Sequence, residues 1–270
     1  MKIGVTKAAV LVLSLCLNAA GLAFAGKALL DRGGLDYIER RLGLSEAEPA
    51  VPFDHKLATL DLMPDLRGEI VFVGDSLTDA FMWAECFPAL PVQNHGIGGN
   101  RVSDVAARLD RIIDRAPSAI YLNIGTNDIG DRRDPAVIAS EIEGVLDRIE
   151  AQLPLTRVVL QSIPPRVGVV QSESIVALNG MLAEVAVKRG LEWVDFHDAL
   201  LGDNGQIDDR FHTDGVHLTA AAYGVWVNAV AETLSTDEIQ LLSGHADDLD
   251  TDVFESGPVV HAVRRIAMGD

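Results

Sequence analysis

The stretch Glu69-Ile70-Val71-Phe72-Val73-Gly74-Asp75-Ser76-Leu77-Thr78 runs through four consecutive apolar residues and then stops at a glycine and a polar turn. A short unbroken apolar run bounded by a turn reads as a strand buried on both faces. Outward from it the same pattern returns. Residues 119–124 end at Gly125, residues 157–163 are stopped by Pro164-Pro165, and residues 191–194 end at Asp195. Residues 91–93 supply a fifth strand. Helix-length amphipathic stretches lie between them at 101–115, 136–152 and 173–189, and a last helix covers about 218–234. Strands alternating with helices predict an α/β domain whose parallel sheet is covered on both faces. In such sheets ligands sit beyond the carboxyl ends of the strands, so chemistry is expected there.

The 270 residues leave room for one well-buried domain with appendages, or at most two small ones. Hydrophobic residues at 48% and charged residues at 23% are the balance of a globular protein. Lys and Arg number 22 against 40 Asp and Glu, a formal charge of −18 that repels phosphate backbones and argues against nucleic acid as a partner. Two cysteines, Cys16 and Cys86, make no disulfide framework.

At the N-terminus, Lys2 and Lys7 precede an uncharged run at residues 8–25, and Ala23 and Ala25 flank Phe24 in an A-x-A-like cleavage pattern. Residues 1–26 therefore read as a signal peptide, with an uncleaved membrane anchor through residues 8–25 as the alternative. Either way the expected location is extracytoplasmic, periplasmic or secreted. Residues 27–67 form a connector with a short amphipathic helix at 35–42, where Leu35, Ile38 and Leu42 share one face, and Pro49, Pro52 and Pro64 break any longer element. The main domain is expected at 68–235. Residues 236–270 form an acidic extension. Asp248, Asp250 and Asp252 alternate as a calcium loop begins, yet Val253 occupies the position of the turn glycine, so the segment reads as a solvated tail and not a metal site.

Four polar, glycine-bearing segments fall at strand ends: Gly74-Asp75-Ser76-Leu77, the block at 94–100, Gly125-Thr126-Asn127-Asp128, and Asp214-Gly215-Val216-His217 before the last helix. Taken singly, each has a plain structural reading. A Gly-Asp-Ser turn caps a helix, Asn127 suits a left-handed turn, and Gly96-Ile97-Gly98-Gly99 suits a phosphate loop, although Arg101 replaces the third glycine of a dinucleotide fingerprint. Together they supply a hydroxyl, backbone donors, an amide, an imidazole and a carboxylate. That is the inventory of acyl transfer through a serine nucleophile.

These four blocks, in this order over roughly residues 68–235, resemble the SGNH (GDSL-type) hydrolases. The resemblance implies a flavodoxin-like three-layer α/β/α fold with a parallel five-stranded sheet. By position it makes Ser76 the nucleophile, His217 the general base and Asp214 its orienting carboxylate. Ser76 N–H, Gly99 N–H and the Asn127 side chain would form the oxyanion hole, and no metal or organic cofactor is implied. Thr78 stands where the nucleophile elbow of the classical α/β-hydrolases needs glycine. Asp209-x-x-His212 repeats the acid–base spacing upstream, but His217 leads directly into the last helix, so His212 is expected to matter little to turnover. His95 is either a pocket wall or a surface residue. Arg101 either binds an anionic substrate group or forms a surface salt bridge. The expected activity is ester hydrolysis, of short acyl or acetyl groups on envelope glycans or lipids. A transferase passing the acyl group to a sugar hydroxyl, a lysophospholipase or thioesterase for longer chains, and a non-catalytic binding domain are the rivals.

Overall fold

The computed structural model describes residues 53–64 and 68–248. The expected signal or anchor segment, the helix at 35–42 and the acidic residues Asp250 and Asp252 lie outside the described residues.

The apolar runs pair into one all-parallel sheet in the order β2-β1-β3-β4-β5, formed by β1 (Ile70–Gly74), β2 (Val92–Gly96), β3 (Ala119–Asn123), β4 (Arg157–Gln161) and β5 (Glu192–Val194). This is the doubly wound order of flavodoxin-type folds, in which the winding reverses beside β1 and opens a crevice at the strand ends. The register sharpens the point. Gly74 is level with Gly96 of β2 on one side and with Asn123 of β3 on the other, so three connecting loops emerge abreast.

The central strands are buried on both faces because alternate side chains feed two separate cores. Val71, Val73, Ile120, Leu122, Val158 and Leu160 pack beneath α4 (Val102–Ile113), α6 (Pro135–Gln152) and α7 (Val169–Arg189). On the opposite face, Phe72 and Tyr121 meet α3 (Trp83–Cys86) and α8 (Ala220–Ala231). There Phe72 stacks on Trp83 at 4.1 Å and on Tyr121 at 4.7 Å, and Trp226 meets Trp83 edge-on at 5.1 Å. Both tryptophans are fully buried. Burial of each such ring contributes at least about 2–3 kcal/mol, which makes this aromatic wall a main support of the site-bearing side of the sheet.

Two helices form where the sequence suggested connector and solvated tail. The first, α1 (Phe53–Leu60), fits between Pro52 and Pro64; Leu60 is buried, Lys56 bonds Asp79 at 2.6 Å and Asp61 pairs with Arg111. The second, α9 (Thr236–Asp248), begins with a reciprocal cap: Ser235 N–H donates to Glu238 Oε2 (2.6 Å) and Glu238 N–H to Ser235 Oγ (3.2 Å). Leu242 enters the aromatic core and Glu238 bonds Arg157. The S-x-x-E capping box was present in the sequence, but the run of acidic residues around it masked the signal.

Candidate active site

Directly after β1, Asp75 caps the short helix α2 (Ser76–Asp79), its Oδ1 accepting Leu77 N–H at 3.0 Å. The cap turns the chain so that Ser76 starts the helix at a partly exposed position. The other end of α2 is fastened through its carbonyls. Tyr223 Oη donates to Leu77 O (2.8 Å), Trp83 Nε1 to Thr78 O (3.0 Å), and Asn94 Nδ2 to Thr78 O, Asp79 O and Phe81 O (2.9, 3.2 and 2.8 Å). A four-residue helix has no intrinsic stability, so these side chains fix the serine's bearing.

His217 arrives from the far end of the domain. Residues 211–219 form a narrow hairpin, closed by Thr219 N–H to Phe211 O (3.0 Å) and Thr213 N–H to His217 O (2.9 Å). At its tip Asp214 Oδ1 accepts the backbone N–H groups of Val216 (3.0 Å) and His217 (2.8 Å), while Oδ2 lies 2.7 Å from His217 Nδ1. Nδ1–H donates to the carboxylate, which leaves the Nε2 lone pair facing Ser76 Oγ at 3.2 Å. Burial pushes the Asp214 carboxyl up, but the two amides and the imidazole outweigh it and hold the group at about 2. Asp214 is thus ionised at any ordinary pH and fixes the tautomer in which Nε2 accepts a proton.

Opposite lie the donors. A Cβ on Gly98 would stand 3.9 Å from Ser76 Cβ, so the loop after β2 runs beside the serine. Gly99 adopts φ +78°, and the space where its side chain would project is open. In α5 (Thr126–Gly130), Asn127 donates one Nδ2 proton to Asn100 O at 2.8 Å, tying the two loops together and leaving its second amide proton for a ligand. Asp128, fully buried, anchors α5 by accepting Val102 N–H (3.2 Å) and by pairing with Arg133. The structure therefore joins Ser76, His217 and Asp214 in one relay and runs beside Ser76 the Gly98-Gly99 loop, which Asn100 ties to Asn127.

His95 lies away from Ser76, and Arg101 takes one of its two expected roles. β2 continues to Gly96, so His95 is a strand residue and not part of a loop; it is 3% exposed and faces Gln93 Oε1 at 3.3 Å, in a recess shared with Leu57, Leu60 and Arg108. Burial, with Arg115, Arg108 and Lys56 adding to it, pulls its pKa down to about 3, and His95 is a neutral buried residue whose recess includes none of Ser76, Gly99, Asn127 or His217. Arg101 caps α4 and pairs with Asp131, the salt-bridge alternative.

Sequence reading missed two residues and one contact of a third. The buried Arg108 donates to Asn100 Oδ1 (3.0 Å), His95 O (2.8 Å) and Gly74 O (3.3 Å), lacing the ends of β1 and β2 to the Gly99 loop. Arg166, after the proline pair that ends β4, donates Nη1–H to Thr126 O at 2.8 Å and lies in the field of Asp214 and Asp75. Position at a strand's carboxyl end was the only signal for it. His212, set aside as a decoy, accepts Gly215 N–H at 2.9 Å within the acid–base hairpin.

Asp75 carries an electrostatic consequence. It is fully buried, and its Oδ2 has no hydrogen-bond partner among the described residues. Burial pushes its pKa up to about 7, reinforced by Asp128 and opposed by Leu77 N–H, His217 and Arg166. In the unfolded chain the value is about 3.9. The folded protein thus keeps a proton that the unfolded chain releases, so this group's stabilising contribution is complete below about pH 4 and lost as pH rises through 7, a span on the order of 4 kcal/mol. In Asp75→Asn this falling limb is expected to flatten, and denaturant melts at pH 4, 5.5, 7 and 8 read it. An unchanged slope would contradict the assignment.

Residues 72–225 match the family model of the GDSL-like Lipase/Acylhydrolase family. The platelet-activating factor acetylhydrolase IB subunit alpha1 of Bos taurus is 30% identical over 108 residues, covering 38% of this chain and 46% of that protein. The alpha2 subunit of Rattus norvegicus is 24% identical over 170 residues, 59% of this chain and 72% of that one. The chain thus spans about half the length of the first of these relatives. Among solved structures, a GDSL-like lipase from Bacteroides thetaiotaomicron superposes with a TM-score of 0.60 at 18% identity, covering 67% of this chain and 96% of its own. A catalytic mutant of an acetylxylan esterase from Geobacillus stearothermophilus gives 0.52 at 17% identity, covering 61% and 93%. At such identities the likeness is one of fold.

Proposed function

The chain belongs to the GDSL-like Lipase/Acylhydrolase family, and from that premise we propose that it is a serine esterase for short acyl esters, working through an acyl-enzyme on Ser76. The observation that carries the reading is the continuous relay from Ser76 Oγ to His217 Nε2 (3.2 Å) and from His217 Nδ1 to Asp214 Oδ2 (2.7 Å).

In this reading Ser76 Oγ attacks the ester carbonyl carbon as its proton passes to His217 Nε2. The resulting imidazolium is balanced by the ionised Asp214. Negative charge on the former carbonyl oxygen is met by the N–H groups of Ser76 and Gly99 and by the free Asn127 amide proton; a single donor of this kind is worth about 3–4 kcal/mol in the transition state. Collapse breaks the bond to the alcohol, which leaves with the proton from His217. Water then attacks the acyl-enzyme, giving a proton to the same nitrogen, and the acid departs as Ser76 recovers its hydrogen.

Acetyl-sized groups are favoured by the company the chain keeps: the acetylhydrolase subunits and the acetylxylan esterase bear names of that chemistry. The N-terminal segment at 1–26 supports export, where O-acetylated glycans and lipids of the envelope are the ester pool. A series of p-nitrophenyl esters from acetyl to palmitoyl, offered to the full chain, tests the substrate class. Turnover concentrated at acetyl and butyryl is expected; a maximum at palmitoyl would replace the short-acyl reading with one of membrane lipids.

A further inference from the structure

We propose that His212 is a positioning residue for the Asp214–His217 pair, acting through the Gly215 amide. The proposal rests on the serine reading and deepens it. Gly215 sits at the hairpin tip between the two residues of that pair, buried and with φ +92°. A peptide beside a glycine in this region flips readily, because no Cβ resists the rotation. Both polar groups of Gly215 are nevertheless held from outside the tip. Its carbonyl accepts Val167 N–H at 2.8 Å, and its N–H donates to His212 Nδ1 at 2.9 Å. The first contact comes from the loop after β4; the second comes from inside the hairpin and is made by a side chain.

That second bond decides the plane of the peptide joining Asp214 to Gly215. The same plane sets the backbone from which the Asp214 carboxylate reaches Val216 N–H, His217 N–H and His217 Nδ1. A Cβ on Gly215 would lie 3.1 Å from Val167 Cβ, so the tip is already pressed against its neighbour and has one well-fitting orientation. Because Nδ1 accepts, the proton of the neutral imidazole is on Nε2, which is buried and 3.6 Å from Asp209 Oδ1. The repeated Asp-x-x-His spacing thus has two different uses in one hairpin. One histidine faces the serine and the other holds the loop that carries it.

Three variants separate positioning from packing. Asn at 212 puts its side-chain oxygen where Nδ1 stands, Gln puts it one atom further out near Nε2, and Leu offers no acceptor. Misplacing a reacting group by about 1 Å lowers turnover by about 10²-fold, and His212→Leu is expected to lose kcat on that scale with KM for p-nitrophenyl acetate unchanged. His212→Gln is expected to behave like Leu, and His212→Asn to recover to within about threefold of wild type. The rate of Ser76 phosphonylation by a fluorophosphonate probe is expected to follow the same order, which requires no knowledge of the substrate. A wild-type protein that resists the probe would overturn the serine reading and this proposal with it. Labelled wild type with an equally reactive His212→Leu, with His212→Asn no better than Leu, or with a loss confined to KM, would overturn the role of His212 alone. Thermal melts of all three variants identify a global unfolding effect, and an Asn variant that folds yet stays slow counts against the proposal.

Discussion

Ser76→Ala is expected to lower kcat for a p-nitrophenyl ester by about a million-fold while leaving the melting temperature close to that of the wild type. The removed hydroxyl is partly exposed at the first residue of α2, and its hydrogen-bond partner in the structure is His217 Nε2. Neither the Asp75 cap nor the carbonyl ties from Tyr223, Trp83 and Asn94 depends on it. His217→Ala is expected to fall by a similar factor, and the double variant to be no worse than either alone, because groups that act as one unit lose their whole contribution at the first deletion. Titration with a fluorophosphonate and mass analysis of the labelled peptide supply the independent check. A Ser76→Ala protein that keeps even a thousandth of wild-type turnover would mean that another nucleophile does the work.

Gly96→Ala is expected to have the largest effect on the fold. The added methyl would stand 2.2 Å from Asp79 N and 2.7 Å from Asp79 Cα, both backbone atoms of α2. No rotamer relieves such a clash, so either α2 moves or the end of β2 does. Overpacking of this kind costs about 3 kcal/mol or more, which lowers the melting temperature by about 6–12 °C in a domain of this size. Activity is expected to fall with it, since the segment displaced is the one that bears Ser76. Gly99→Ala provides the contrast. There the space is open and the penalty is only that of a positive φ, about 1–2 kcal/mol. Melts of the two variants side by side separate a glycine needed for room from one needed for its backbone; equal melts would refute the distinction.

How much of this could be read from sequence varies by residue in an instructive way. β1, β3 and β4 are apolar runs because both faces of the sheet are covered, and burial of that kind leaves a direct compositional trace. Two of the polar blocks, at 74–77 and 125–128, were legible for the same reason: each interrupts an apolar run at its carboxyl end. β2 was harder. Its sequence Val-Gln-Asn-His-Gly is mostly polar, yet Gln93 and His95 are buried. Those groups are satisfied by atoms far along the chain, Gln93 by Pro64 O and Asn94 by carbonyls of the α2 turn. No local pattern reports such partners, and the sequence left His95 open between a pocket wall and a surface position. Arg108 and Arg166 escaped notice for a related reason. Each lies at an unremarkable place in its element, and its importance comes from carbonyls that only the folded chain assembles.

The order of the parts along the chain has a bearing on when the protein becomes active. Ser76 and His217 are 141 residues apart, and four of the five strands lie between them in sequence. Closing so long a loop comes late in folding, after local helices and neighbouring strands have formed. During synthesis the proposed nucleophile Ser76 and the proposed donors Gly99 and Asn127 emerge well before His217, the proposed base. Only when the hairpin at 211–219 and α8 dock does the hydroxyl gain its acceptor. On the proposed serine mechanism, an unfinished or clipped chain ending before that hairpin is expected to be silent toward esters, even with its strands in place. Maturation of the fold and onset of reactivity become a single event.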